Sequence, residues 1–383
     1  MGQPAKVYHF VKVYGNKVQP YTQHLLQRFQ DVHQGINHFV LCEQNNLKAA
    51  TWIQVLEPHL SLPNIIFVWR QLRKAKIKKG LPNLTLKKKI KYLLKWKFLL
   101  LNPPDVLHIH HLHGVDQFLL EYLNELGVKI MASLRGRDLL INTLEEKQNK
   151  IFREKMRYIH QWHVISNYMK VVANQKFNLN SVLIYRGVEL PDPENVKTSF
   201  EVKNKEVRLI AVGRLVWEKG HAHALEAVKQ LKDSGYRVKL DIYGSGILQE
   251  SLLQSIQQLH LQNEVQLKGH VPLQELRAVY KNYDLAVQPS VSEALSNGLL
   301  DLAVHNVPCV ISNVGGMVEI ITHGINGTVF DIKKPEELTL TIEKALQLDF
   351  DILVRHNKNL LQDTFAIQNE LHSFTNQYKM LLS

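Results

Sequence analysis

"VRLIAVGRLVWEKGHAHALEAVKQLKDSGYRVKLDIY", Val207–Tyr243, decides the fold. Val207 to Val212 is a near-continuous apolar run of strand length, closed by Gly213, which permits a tight exit. A helical pattern follows from His221 to Ser234, and a second β-branched run from Val238 to Tyr243. Strand, crossover helix and strand make a parallel unit, because two parallel strands need such a connection.

Working outward, the same alternation recurs. Downstream strands are expected at Val265–Leu267, Leu285–Gln288, Pro308–Ser312 and Thr328–Phe330. Helices at Leu248–His260, Leu273–Tyr283 and Gly298–His305 separate them, and the tail from Pro335 reads as helices alone. Upstream, strands are expected at Val7–Val13, His38–Cys42, Ile65–Trp69, Val106–Ile109, Lys129–Ser133, Trp162–Ile165 and Val182–Tyr185. The helices between them are Pro20–Asp31, Leu86–Leu101, Gly114–Leu126, Glu145–Tyr158 and Asn167–Lys176. Arg186–Glu206, rich in proline and charge, is the best linker. The expectation is an α/β protein of two doubly wound, Rossmann-like domains facing each other, with ligands at the carboxyl ends of their strands. The boundaries are residues 1–190, a linker 191–206, residues 207–360, and a C-terminal helix 361–383 returning to the first domain.

A length of 383 residues suits two cores better than one. The first 190 residues hold 28 Lys plus Arg against 12 acids, and the remainder 19 against 23, so a basic half (+16) adjoins a mildly acidic one (−4). No apolar stretch reaches the roughly 20 residues of a membrane span. The start has no signal-peptide core, and Lys6 stands where a myristoylation signal wants Ser or Thr. Cys42 and Cys309, in separate apolar runs, read as buried thiols of a reduced, cytoplasmic protein.

In "VGRLVWEKG", Val212–Gly220, Arg214 and Lys219 sit beside a helix start, a planar fork of donors and a compact point charge suited to a diphosphate. The plainer reading is two solvated charges near a turn, one neutralised by Glu218. "YGSG", with Gly244, "GHV" at Gly269 and "VGG", with Gly316, are further glycine turns, each weak alone. P-loop spacing and the three-glycine dinucleotide fingerprint are absent, which counts against ATP hydrolysis and nicotinamide binding. "PSVSEALSNGLLD", Pro289–Asp301, places Glu293 on a loop and Asp301 on the following helix. Asp301 would accept hydrogen bonds from a ribose diol, and Glu293 would contact a transferred group. Alternatively, both acids only complement the positive end of a helix capped after Ser296.

Taken together, these segments resemble the retaining glycosyltransferases of the GT-B fold, family 4. The resemblance lies in Glu293 and Asp301 as the acidic pair, "SEALSN", "VGRLVWEKG", "YGSG", "GHV" and "NVGGMVEII", in that order over about 150 residues. Asp301 departs from the usual Glu by one methylene. In the first half, "YGNKVQPYTQHLLQRF" resembles the donor-phosphate loop with its glycine pair reduced to Gly15. "PDVLHIHHLHG" resembles the segment supplying an active-site histidine, His111 or His113. "SLRGRD" has Arg135 where histidine is common, and "RGVE" stands for the usual Asn-Gly-Val-Asp; both bear on the acceptor side or hinge.

The resemblance implies transfer of a sugar from a UDP- or GDP-sugar to a glycan or lipid-linked glycan acceptor, with no cofactor and no metal. Arg214 and Lys219 would take the diphosphate, aided by Gly15, Gly244 and Gly316. Glu293, with Ser296, Asn297 and Gly298, would hold the donor, and Asp301 its ribose. The four histidines of His108–His113 lack a companion acid or cysteine cluster, so sugar-site or structural roles are favoured over zinc. The basic stretch 70–101 has an apolar arc (Leu86, Ile90, Leu93, Leu94, Phe98, Leu101) opposite Lys88, Lys91 and Lys95. It reads either as a buried amphipathic helix or as a contact for an anionic membrane at the inner face of the cell. Nucleic acid fits poorly for want of a reading module. The competing class is a non-catalytic membrane- or nucleic-acid-binding protein on the same scaffold.

Overall fold

A computed structural model describes residues 4–14, 20–31, 35–47, 50–56, 61–73, 84–202 and 204–383. They fall into two compact units. The first holds residues up to Val164, Val172–Ile184 and Leu371–Ser383; the second holds Ile165–Val171 and Tyr185–Glu370.

The first unit is built on strands β1 (Ala5–Tyr14), β2 (Ile36–Asn45), β3 (Ile53–Val55), β4 (Val106–Ile109), β5 (Lys129–Leu134), β6 (Gln161–Val164) and β7 (Ser181–Leu183). They form one parallel sheet in the order β3-β2-β1-β4-β5-β6-β7. Alternation along β1 sorts its two faces. Tyr8 and Phe10 turn to Phe98 and Trp96, at ring separations of 5.7 and 5.6 Å. His9 turns to Phe29 and Tyr378, from the helices Pro20–Asp31 and Ile367–Leu382.

The second unit repeats the plan with β8 (Glu206–Val212), β9 (Arg237–Tyr243), β10 (Val265–Gly269), β11 (Leu285–Gln288), β12 (Cys309–Ser312) and β13 (Gly327–Phe330). Its order is β10-β9-β8-β11-β12-β13, again all parallel. Val207, Leu209 and Ala211 of β8 pack with Ala224, Leu225 and Val228 of the helix His221–Asp233. Ile210, pointing the other way, packs with Leu299 and Leu302 of the helix Asn297–Val304. Burial on both faces is why β8 reads as an unbroken apolar run. In each sheet the strand order reverses once, between β1 and β4 and between β8 and β11. Each reversal opens a crevice beyond the carboxyl ends of the strands.

Three expectations need correction. Ile65–Trp69 is not a strand; it lies inside the helix Leu62–Leu72, where Pro63 suits the first turn and Phe67, Val68 and Gln71 are buried. A short run of apolar residues fits a buried helix as well as a strand, and the proline settles the choice. Leu86–Leu101 is two helices, Leu86–Lys95 and Lys97–Leu101, broken at Trp96, whose ring is 1% exposed. The edge strand β3 has no counterpart in the sequence reading. Cys42 and Cys309 are free and buried.

Candidate functional site

In the second unit the loops leaving β8, β9, β11 and β12 lie against one another, and glycines set their spacing. Gly213 N–H donates to Tyr243 O at 2.9 Å and Leu215 N–H to Ser245 O at 3.0 Å, joining the β8 and β9 exits. A Cβ on Gly244 would stand 1.8 Å from Gly213 O, at a φ of 147°. Gly220 opens the helix His221–Asp233 with φ 64°, and a Cβ there would stand 1.9 Å from Pro289 O. Glu218 O accepts from Val291 N–H at 2.8 Å, so the β11 loop hangs on the β8 loop. On its far side, Gly316 N–H donates to Ala294 O at 3.1 Å, and a Cβ on Gly315 would stand 1.6 Å from Glu293 O. No side chain other than hydrogen fits these positions without moving a strand exit.

This packing brings Lys219 and Glu293 into an ion pair, with side chains 17% and 15% exposed. Arg214 is exposed on the same turn as Lys219. A functional residue missed in the sequence stands beneath them. His221, 5% exposed, donates from Nε2 to Arg214 O at 3.2 Å. Burial pushes its pKa down to about 4, and the charge of Lys219 adds to the effect. A neutral imidazole therefore props the turn that carries both cations.

The other residues expected at the donor site are placed differently. Ser296 is 2% exposed; its Oγ accepts from Leu299 N–H at 3.3 Å and donates to Gln288 Oε1 at 2.8 Å. Gln288 in turn donates to Val212 O at 3.1 Å. Ser296 thus caps the helix Asn297–Val304 and ties it to the switch point, one of the two readings of its sequence. Asn297 Oδ1 accepts from Arg186 at 2.9 Å, and a Cβ on Gly298 would stand 3.4 Å from Val212 and Gln288. Asp301 is fully buried and paired with Arg277, whose Nη2 and Nε lie 2.6 and 2.9 Å from Oδ1. Glu319, in the segment after the glycine pair, accepts from Asn167 N–H, Tyr168 N–H and Tyr185 Oη–H at 2.8, 2.9 and 2.7 Å. It caps the helix Asn167–Phe177, a role with no local signature in the sequence.

In the first unit, His111 and His113 follow β4. The His111 ring is half-buried with both nitrogens unpartnered among the described residues. Burial, then the charge of Arg135, pushes its pKa down to about 4, so it is neutral at pH 7. His113 is half-exposed, with Nδ1 4.0 Å from Asp138. Buried Lys155 donates to Leu112 O at 3.0 Å and holds the turn from beneath. Gly15 lies outside the described residues, as do residues 74–83 of the basic stretch.

His9, His108 and His110 are buried, with ligand atoms all within 4.8 Å of one another. Their hydrogen bonds fix the tautomers. Arg135 can only donate, and its Nη2 lies 2.6 Å from His110 Nδ1. His110 then carries its proton on Nε2 and donates to His9 Nδ1 at 3.1 Å, and His9 Nε2 donates to His38 Nδ1 at 2.9 Å. A second chain ends on a carbonyl, which can only accept. His163 Nε2 donates to Ile184 O at 3.0 Å, and Ser133 Oγ donates to His163 Nδ1 at 2.8 Å. His108 Nε2 donates to Ser133 at 2.7 Å, and Tyr378 donates to His108 Nδ1 at 2.8 Å. Both nitrogens of His9, His108 and His110 are engaged. A metal on His110 Nε2 would need the proton on Nδ1, facing an arginine donor. The set fits a polar core and does not fit a metal centre.

Comparison with known proteins places the second unit. Residues 192–360 match the family model of the glycosyl transferases group 1. A glycosyltransferase of Methanocaldococcus jannaschii is 29% identical over 191 residues, 49% of this chain and 48% of its own. An amylovoran biosynthesis glycosyltransferase of Erwinia amylovora, AmsK, is 26% identical over 173 residues, 44% of this chain and 42% of its own. The chain thus spans about half the length of these curated relatives. Anabaena HepE, solved with UDP and glucose, superposes with a TM-score of 0.72 over 98% of this chain and 99% of its own, at 14% identity. The fold is GT-B, two parallel doubly wound sheets in one chain.

Proposed function

We propose that the protein transfers a sugar from a UDP- or GDP-sugar to a hydroxyl of a glycan or lipid-linked glycan, with retention at the anomeric carbon, in surface polysaccharide synthesis. The observation that carries this reading is the Lys219–Glu293 pair at the β8/β11 switch point, flanked by Arg214 and the start of a helix. The family match over residues 192–360 supports glycosyl transfer. The resemblance to family 4 supports retention.

In this mechanism the bond from the anomeric carbon to the diphosphate oxygen breaks as the acceptor oxygen bonds to that carbon. The acceptor's proton leaves on the departing phosphate. Negative charge grows on the diphosphate, and Lys219 and Arg214 stabilise it, while Gly244 and Gly316 let the strand exits close in beside it. As Lys219 swings to the phosphate it releases Glu293, whose carboxylate then holds sugar hydroxyls. Neutral His111 offers a lone pair to a hydroxyl, and His113 stands beside it at the surface. No protein nucleophile, cofactor or metal is assigned.

No helix among the described residues is long and apolar enough to cross a membrane. A peripheral contact at the cytoplasmic face of an anionic membrane is proposed for residues 70–101. Lys87, Lys88 and Lys91 are exposed there, with Leu86 63% and Leu101 51% exposed, and Trp69 of the packed neighbouring helix 54%. Greasy tips beside ammonium groups suit the headgroup layer. Nucleic acid is not part of the proposal.

The test is a panel of UDP- and GDP-sugars, following nucleotide diphosphate release and then transfer to lipid-linked acceptors, with the product's anomeric configuration read by NMR. Saturable turnover lost in Lys219→Ala supports the proposal. Folded protein that binds no nucleotide sugar below millimolar concentration refutes it.

A further inference from the structure

We infer that Arg277 is a positioning residue that sets Asp301 to receive a ribose hydroxyl of the donor; this rests on the nucleotide-sugar reading above. Asp301 lies one turn along the helix Asn297–Val304, on the face it shares with Asn297. Its carboxylate is used on one side only. Arg277, from the helix Leu273–Tyr280, brings Nε to 2.9 Å and Nη2 to 2.6 Å of the same oxygen, Oδ1. Oδ2 is buried and has no hydrogen-bond partner among the described residues.

An arginine fork that serves stability alone commonly lies across both carboxylate oxygens. Two donors converging on Oδ1 leave Oδ2 with its full accepting capacity, and a buried acceptor without a partner calls for an explanation. The neighbouring polar groups do not supply one. His305 donates from Nδ1 to the main-chain oxygen of Asp301 at 2.6 Å and packs edge-on to Tyr280 at 5.2 Å. A donor from outside the protein completes the site, and a ribose hydroxyl is such a donor. Arg277 keeps 16% of its side-chain surface exposed, so the pair lies just under the surface.

The arginine also answers the shortness of the acid. Aspartate has one methylene less than glutamate and reaches less far from the helix. A guanidinium locked on Oδ1 fixes the rotation of the carboxylate and thereby the direction of Oδ2.

The test uses the full chain, with UDP and GDP as probes and their 2′-deoxy and 3′-deoxy forms as controls, by calorimetric titration. The unmodified protein is expected to prefer the ribonucleotide by about tenfold over one deoxy form. In Arg277→Leu that preference falls to within twofold, while affinity for the disfavoured deoxy form changes less than threefold. A purely structural arginine would weaken both nucleotides alike, and that result overturns the inference. So does a folded Arg277→Leu that keeps the full preference. Should Arg277→Leu lose its cooperative melting transition, Arg277→Lys decides by the same ratio: a drop of threefold or more supports the inference and an unchanged ratio overturns it. If the unmodified protein itself shows no ribose preference, the ribose reading of Asp301 fails first, and the role of Arg277 falls with it.

Discussion

Lowering the pH should unfold the first unit well before ordinary acid denaturation. His9, His38, His108, His110 and His163 are buried in its core, and desolvation is the leading cause that depresses each of them. His38 is pushed down to about 4 and His163 to about 3. The sign follows from proton counts. Below 6.5 the unfolded chain binds protons on these rings and the folded chain does not, so their contribution is intact above 6.5 and is lost as pH falls toward the folded values. At pH 5.5 each ring costs about RT ln 11, or about 1.4 kcal/mol, and five independent rings cost about 7 kcal/mol. That rivals the whole stability of a typical domain, roughly 5–15 kcal/mol. Four of the five tryptophans (Trp52, Trp69, Trp96 and Trp162) lie in the first unit, so intrinsic fluorescence reports chiefly on it. Urea midpoints from pH 7.5 to 5.5 should fall steeply below 6.5, and His163→Gln should flatten part of the slope. An unfolding free energy that moves by less than about 1 kcal/mol over that range would show that the histidines are hydrated or charged in the folded state, against the tautomers assigned above.

Three further outcomes are expected. Lys219→Ala should lower turnover with any accepted donor by about a hundredfold or more with the melting temperature little changed, measured as nucleotide release. Gly315→Ala should destabilise the second unit by at least about 2 kcal/mol in urea unfolding, because its φ of 61° and the Glu293 carbonyl both exclude a methyl group. Reversing Lys87, Lys88 and Lys91 to Glu should weaken sedimentation with anionic vesicles by about a hundredfold and leave turnover on soluble substrates unchanged.

Much of this was legible because both sheets are parallel and buried on both faces. Strands such as Leu285–Gln288 appear as isolated apolar runs, and glycine marks their exits. Lys219 and Glu293 could each be picked out because each lies just past such a strand, but their pairing depends on the sheet order, which reverses between β8 and β11. What could not be read is long-range in kind. Arg277 is an ordinary helix charge until it meets Asp301, 24 residues away. Glu319 caps a helix that begins 152 residues earlier, and no local pattern announces it. The histidines of "HIHHLH" show the same limit. His108 and His110 join His9, His38 and His163, brought in by three other strands, so the cluster exists only once the sheet is assembled. Ile65–Trp69 failed for the opposite reason, because composition spoke for a strand while Pro63 and the register of burial spoke for a helix.

The one-way order of the histidine chains gives the first unit a label-free gauge of its own breathing. The imidazole N–H groups of His9, His108, His110 and His163 are each locked to a named acceptor and buried, so each trades with deuterium only during an opening that exposes the strand carrying it. The exchange lifetimes of His163 and His110, measured side by side, would tell whether the two ends of that sheet part together or one after the other.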